Sequence, residues 1–325
     1  MSSAVRRAAP IALGSLLALV GCGGSHAKGR PMPRDPTVDE IAAELDAMSG
    51  SLTSVQRETF HGILADAIAK DAYSCLPMPR EVFFGDAPEG ERTIRGQMPH
   101  YGLFFGPMSY RVARSRGRWL VRVVVAVEPP DPRAMLELPD CTMTPELDEP
   151  TACAEDPERE ASLEVCPRGA RGLARATDGT VTALLRRYSR EVETYWSRDA
   201  HAQGLPIDYD FDFTRADDAD PSRVDMTLPL ATTCGRTPYF TSIRSGWSLP
   251  ILAHEMGHFL GLLDEYETFS GMLYPKTPFP GAEVSRMGLS MREGTKVLPV
   301  HHYLVLRRWF CRPPEETMPF RHALP

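Results

Sequence analysis

Residues 252 to 266 read LAHEMGHFLGLLDEY, and several side chains there have the types and spacing of a metal site. His254 and His258 are four apart, so on a helix their imidazoles share one face. Two imidazoles so placed can bind one Zn²⁺, and Glu255 between them can reach a water that the metal holds. A catalytic zinc also needs a third protein ligand and an open fourth position. Gly261 lets the helix end and the chain turn, and three residues later the carboxylate of Asp264 can swing back. Glu265 is next door and Glu283 lies further on, so residue types alone leave the third ligand open among these carboxylates.

The lengthened pattern, His-Glu-x-x-His-x-x-Gly-x-x-Asp, resembles that of the metzincin metalloproteases. His254, Glu255, His258 and Gly261 match it, while Asp264 stands where the commoner form has histidine, as in the snapalysin-like proteases. The resemblance implies zinc held by His254, His258 and Asp264, with Glu255 as the general base for hydrolysis of a peptide or protein substrate. It also implies a methionine turn beneath the metal, followed by a C-terminal helix. Met287, ahead of a helix-like run to Trp309, is the preferred turn methionine, and Met272 in SGMLYP is the other candidate. His301 and His302 in that run read as supporting or surface groups, with pairing to a metal as the lesser option. The resemblance is specific from 248 to 266, loose over the rest of 119–311, and does not extend to 23–117. A non-catalytic, metal-stabilised domain that binds peptide or envelope components is the alternative function, and an amidase acting on cell-wall peptides would use the same site chemistry.

The elements that must position these residues are legible in outline. Ser248 can cap the motif helix and Pro250 suits its first turn. Leu252, Met256, Phe259 and Leu263 form a packing stripe roughly opposite the histidines. Ahead of the motif, RWLVRVVVAVE is a strand, TVTALLRRYSREVETYWSRDA a helix with Leu184, Tyr188, Val192 and Trp196 on one face, and IDYDFDF and RVDMTLPLA two more strands. Asp208, Asp210 and Asp212 lack the glycine and distal glutamate of a calcium loop and read as a solvated strand face. The strand just before the motif helix is expected at a sheet edge, where an extended peptide can add. The order of elements predicts a mixed α/β domain over 101–325. The resemblance makes it a zincin- or metzincin-like mixed sheet with an active-site helix and a C-terminal subdomain. Residues 37–100 are a small N-terminal helical segment of no assigned role, with a helical hairpin over 37–73 that opens on a Thr37/Glu40 capping box.

Composition sets the remaining bounds. At 42% hydrophobic and 24% charged the chain can build a globular core, and its 30 prolines favour loops over long helices. Residues 1–21, with Arg6 and Arg7 ahead of an apolar run, read as a signal peptide. Leu19-Val20-Gly21-Cys22 resembles a bacterial lipobox, which implies lipidation of Cys22 and a membrane anchor; residues 22–36 read as a flexible tether. The expected location is therefore the cell envelope, at the outer membrane or cell surface. Beyond Cys22 there are six cysteines, an even count that favours disulfides in an exported chain. Cys141, Cys153 and Cys166 are expected to brace the acidic insert at 131–170, which reads as a loop. Cys75 has a competing reading as a thiol that plugs the zinc. The net charge of −7 traces to that insert, and no basic patch points to nucleic acid.

Overall fold

The computed structural model describes residues 34–49, 53–71, 73–97, 107–141, 152–154, 171–235, 241–265, 284–288 and 295–312. The signal peptide, Cys22, Met272, Glu283 and Cys166 lie outside these residues. The fold is mixed α/β, and a six-stranded mixed sheet forms its centre. Strand β3 (Arg118–Glu128) organises that sheet. Its first half buries alternate residues, Trp119, Val121 and Val123, whereas Val124 to Val127 are buried on both faces. The partners explain the change. Strand β7 (Ile207–Arg215) runs parallel along Trp119–Val127 and takes one edge. The other edge is shared in succession by β2 (Pro107–Ser115), antiparallel against Arg118–Arg122, and β8 (Met226–Ala231), parallel against Val125–Glu128. An apolar run without breakers fits such a fully covered strand.

Outer strands complete the sheet. The β2–β3 hairpin turns through Arg116 and Gly117, both at positive φ (51° and 75°), as a two-residue turn between twisted strands requires. Strand β1 (Gly90–Gln97) pairs antiparallel with β2 as the outer strand there. At the opposite end, β9 (Ile243–Arg244) pairs parallel with Leu230 and Ala231. The strand before the motif helix meets β9 only at Leu230 and Ala231, and residues 226–229 pair with β3 alone among the described residues. The passage before residue 117 is rich in proline and glycine. It holds β1, β2 and a short helix α3 (Pro79–Phe84). Only Ile94 among the described side chains of β1 is buried, so an outer strand left no alternation to read.

Helix α4 (Asp178–Ala202) lies against β7 and α5 (Leu249–Phe259) lies against α4. The capping oxygen of Thr177 receives the Thr180 N–H at 3.2 Å, and Val181, Leu184, Leu185, Tyr188, Val192 and Trp196 form the buried stripe. The acidic insert is not a plain loop. Strands β4 (Met135–Leu138), β5 (Ala152–Ala154) and β6 (Arg171–Arg175) make a small antiparallel sheet in the order β4-β6-β5. Asp208 and Asp210 are tied by Arg118 and Arg122 of β3 rather than merely solvated.

The N-terminal helices α1 (Val38–Ser49) and α2 (Ser54–Lys70) share the core of the rest. Asp35–Pro325 groups as one unit, and α1, α2 and α3 all rest on α6 (Pro299–Arg307), every residue of which is buried. The Thr37/Glu40 reciprocal cap forms, and a second joins Thr53 to Gln56. A Cys75–Cys311 disulfide fastens the same two chain regions, which removes Cys75 as a thiol able to plug a zinc. Cys141 and Cys234 are also disulfide-bonded.

Candidate metal centre

Helix α5 is buried almost all round. From Pro250 to Phe259 every residue is buried except Glu255. The sequence suggests one packing stripe and one polar stripe, but both histidines are inside as well, His254 at 0% exposure and His258 at 3%. Ser248 occupies the cap position without a side-chain hydrogen bond, and Pro250 sits in the first turn. The helix ends in a Schellman motif: Leu262 N–H bonds Gly257 O at 2.9 Å and Gly261 N–H bonds His258 O at 2.8 Å. Gly261 has φ 79°, a conformation that side chains with a Cβ resist.

That turn brings Asp264 to the histidines. Its Oδ1 lies 3.2 Å from His254 Nε2 and 3.3 Å from His258 Nε2. The ligand-type atoms of all three residues fall within 4.8 Å of one another. The other ring nitrogens are engaged: His254 Nδ1 donates to Arg286 O and His258 Nδ1 donates to Leu262 O, each at 2.8 Å. A carbonyl can only accept, so both Nδ1 atoms carry the proton and neutral rings turn a lone pair toward Asp264 from Nε2. Three acceptors converging at one buried place need a cation or an extra proton between them. The electrostatics agree. Burial opposes charging His258, but the Asp264 carboxylate and its hydrogen bond outweigh it and push the imidazole up to about 9. Burial raises Asp264, yet the two histidines hold it well below the usual carboxylate range. The donor set, two imidazoles and one carboxylate, suits Zn²⁺.

Glu265 faces elsewhere. It is 2% exposed, its Oε1 meets His301 Nε2 at 2.6 Å, and its N–H donates to Met287 O at 2.9 Å. His301 and His302 are buried, not surface groups. His301 Nδ1 accepts the Leu298 N–H, so its proton is on Nε2 and is donated to Glu265. His302 Nδ1 meets the Tyr209 hydroxyl at 2.6 Å, and burial holds its pKa well below the ordinary value.

Met287 lies in the turn closed by Gly288 N–H to Ser285 O, and a Cβ on Gly257 would come within 2.3 Å of its Sδ. Gly257 thus lets the turn press against α5 next to His258 in sequence. Arg286, whose carbonyl orients His254, escaped the sequence reading because a backbone acceptor carries no residue-type signal. No family model matches the chain, and no curated protein or solved structure matches it.

Proposed function

We propose that the chain is a zinc-dependent peptidase of metzincin-like design, with His254, His258 and Asp264 as ligands and Glu255 as general base. The observation that supports this reading most directly is the convergence of two Nε2 atoms and one carboxylate oxygen at one place, where a bound cation would satisfy all three. His254, His258 and Asp264 would hold the zinc, which would supply Lewis acidity to a water and to a substrate carbonyl. Glu255 is the one residue of α5 between Pro250 and Phe259 that is not buried. Its carboxylate receives the proton of the attacking water and returns it to the leaving amine. Arg286 O and Leu262 O keep both rings in the ligating tautomer, and Met287 and Trp196 both pack at Gly257 of α5; the Trp196 indole N–H bonds Ala253 O at 3.0 Å.

The disulfides support export, because such bonds persist in oxidising compartments. With the lipobox-like end of its leader, the protein is proposed to be anchored to the cell envelope through lipid on Cys22; Cys22→Ser should release it or block processing.

The reading is tested by metal analysis of the purified chain together with peptide cleavage before and after chelation. About one zinc per chain and chelator-sensitive cleavage are expected. Bound zinc with no cleavage of any peptide would leave a metal-stabilised binding domain. No bound metal would remove the reading.

A further inference from the structure

The turn that carries Asp264 is held from the far side by a side chain 47 residues away in sequence. Arg308, just past α6 and 6% exposed, donates from Nη1 to Leu260 O and from Nη2 to Gly261 O at 3.2 Å. Leu260 is the C-cap of α5 and Gly261 the residue after it; the Schellman bonds use neither carbonyl, and a cation at that end also meets the negative pole of the helix. The approach is close: a Cβ on Gly261 would fall 2.4 Å from Arg308 Nη1. Arg308 is oriented in turn by Asp71, at the end of α2, through Nε to Oδ2 at 3.1 Å. Arg307 Nη2 shares that oxygen at 2.7 Å, and Asp71 Oδ1 accepts the Tyr73 N–H at 3.1 Å. Nearby, Arg307 Nη1 reaches Cys75 O and the disulfide to Cys311 ties the two chain regions covalently.

We propose that Asp71 and Arg308 are positioning residues for the metal-ligand turn, which makes the N-terminal helices a permanent brace of the site rather than a detachable segment. The proposal rests on the metal reading above. Leu262 O, which orients His258, and Asp264 both lie within three residues of Gly261. A turn released by Arg308 therefore disturbs two ligands at once. Lysine in place of Arg308 keeps the charge for Asp71 but cannot span two carbonyls with a planar fork.

The test is a Co²⁺ titration of the full chain after chelation, followed by visible absorption, with thermal unfolding measured alongside. Arg308→Lys and Asp71→Asn should bind Co²⁺ about 10–100-fold more weakly, with an altered spectrum, as loss of an outer orienting partner commonly does. Val181→Ala empties a buried position about four turns along α4 from Trp196 and serves as a control for lost stability. It should bind Co²⁺ like the unsubstituted chain even at a comparable loss of melting temperature. Unchanged affinity and spectrum in Arg308→Lys and Asp71→Asn would overturn the proposal. If Asp71→Asn does not fold, Arg308→Lys decides alone. Failure of the unsubstituted chain itself to bind Co²⁺ brings down the metal reading, a result distinct from binding that the variants leave intact.

Discussion

Helices α5 and α6 each bury a pair of histidines, and the two pairs have opposite chemistry. On α5 the pair is spaced by four, both Nδ1 atoms donate to carbonyls, and both Nε2 atoms turn toward the Asp264 carboxylate. On α6 the pair is adjacent, so the rings leave the helix in different directions. His301 meets Glu265, and His302 meets Tyr209 beneath Trp196. Burial is nearly equal, yet His258 is pushed up to about 9 while His302 is held far below its ordinary value. The difference is the carboxylate: burial alone neutralises an imidazole, whereas burial beside Asp264 favours a positive charge. What marks a candidate ligand is therefore the direction of its second nitrogen, not its depth.

The strongest way to break this comparison is to exchange the pairs' fates. His254→Ala, His258→Ala and Asp264→Ala should each abolish stoichiometric zinc, measured by metal analysis, because two remaining ligands do not hold a tetrahedral site. His301→Ala and Glu265→Gln should retain it. Zinc lost from Glu265→Gln and kept by Asp264→Ala would reverse the assignment.

Next in size is Glu255→Gln. It should keep zinc and melting temperature but lose about 10²–10⁴ in peptide-cleavage rate, since only proton transfer is removed. A cleavage rate near that of the unsubstituted chain would exclude Glu255 as the base.

Smaller effects concern the scaffold. Glu265→Ala leaves the buried His301 Nε2–H without its acceptor and should cost about 1–3 kcal/mol in denaturant unfolding. Gly257→Ala drives a methyl into Met287 and should cost a similar amount, about 1–3 kcal/mol. Neutral behaviour of Gly257→Ala would mean that the turn carrying Met287 is not seated against α5.

The subtlest prediction separates the pairs by pH. In metal-stripped protein the raised His258 contributes stability that is complete below its ordinary 6.5 and is lost as pH rises through about 9. The depressed His302 acts with the opposite sign: stability falls as pH drops below 6.5, where the unfolded chain takes up a proton that the folded chain refuses. Thermal melts should show an alkaline loss in the stripped protein that added zinc suppresses, and an acid loss that His302→Gln reduces. An alkaline loss untouched by zinc would contradict the first half.

Much of the frame was legible because local pattern and burial agree there. The valine run at 121–127, the alternation in β7 and the 3–4 spacing along α4 each reported a face that the fold covers. The Gly261 turn was readable for the same reason, since few residues besides glycine accept its backbone conformation. Strand β1 was not legible, because an outer strand with a single buried side chain has no period to detect. The small sheet at the insert was not legible, because its strands are only three to five residues long and too short to show a period.

The sequence by itself determined which residues could be ligands, base and helix stop, because these depend on residue type and on spacing within one helix. It did not determine which of Asp264 and Glu265 faces the histidines. That choice is made by His301, 36 residues away, which takes Glu265 and leaves Asp264 for the site. Nor did it show that Met287 underlies α5, or that Asp71 reaches Arg308 across 237 positions. These contacts are long-range, and their side chains carry no local signal. Only the packing of α2, α5 and α6 into one core brings their charges close enough to decide where each must point.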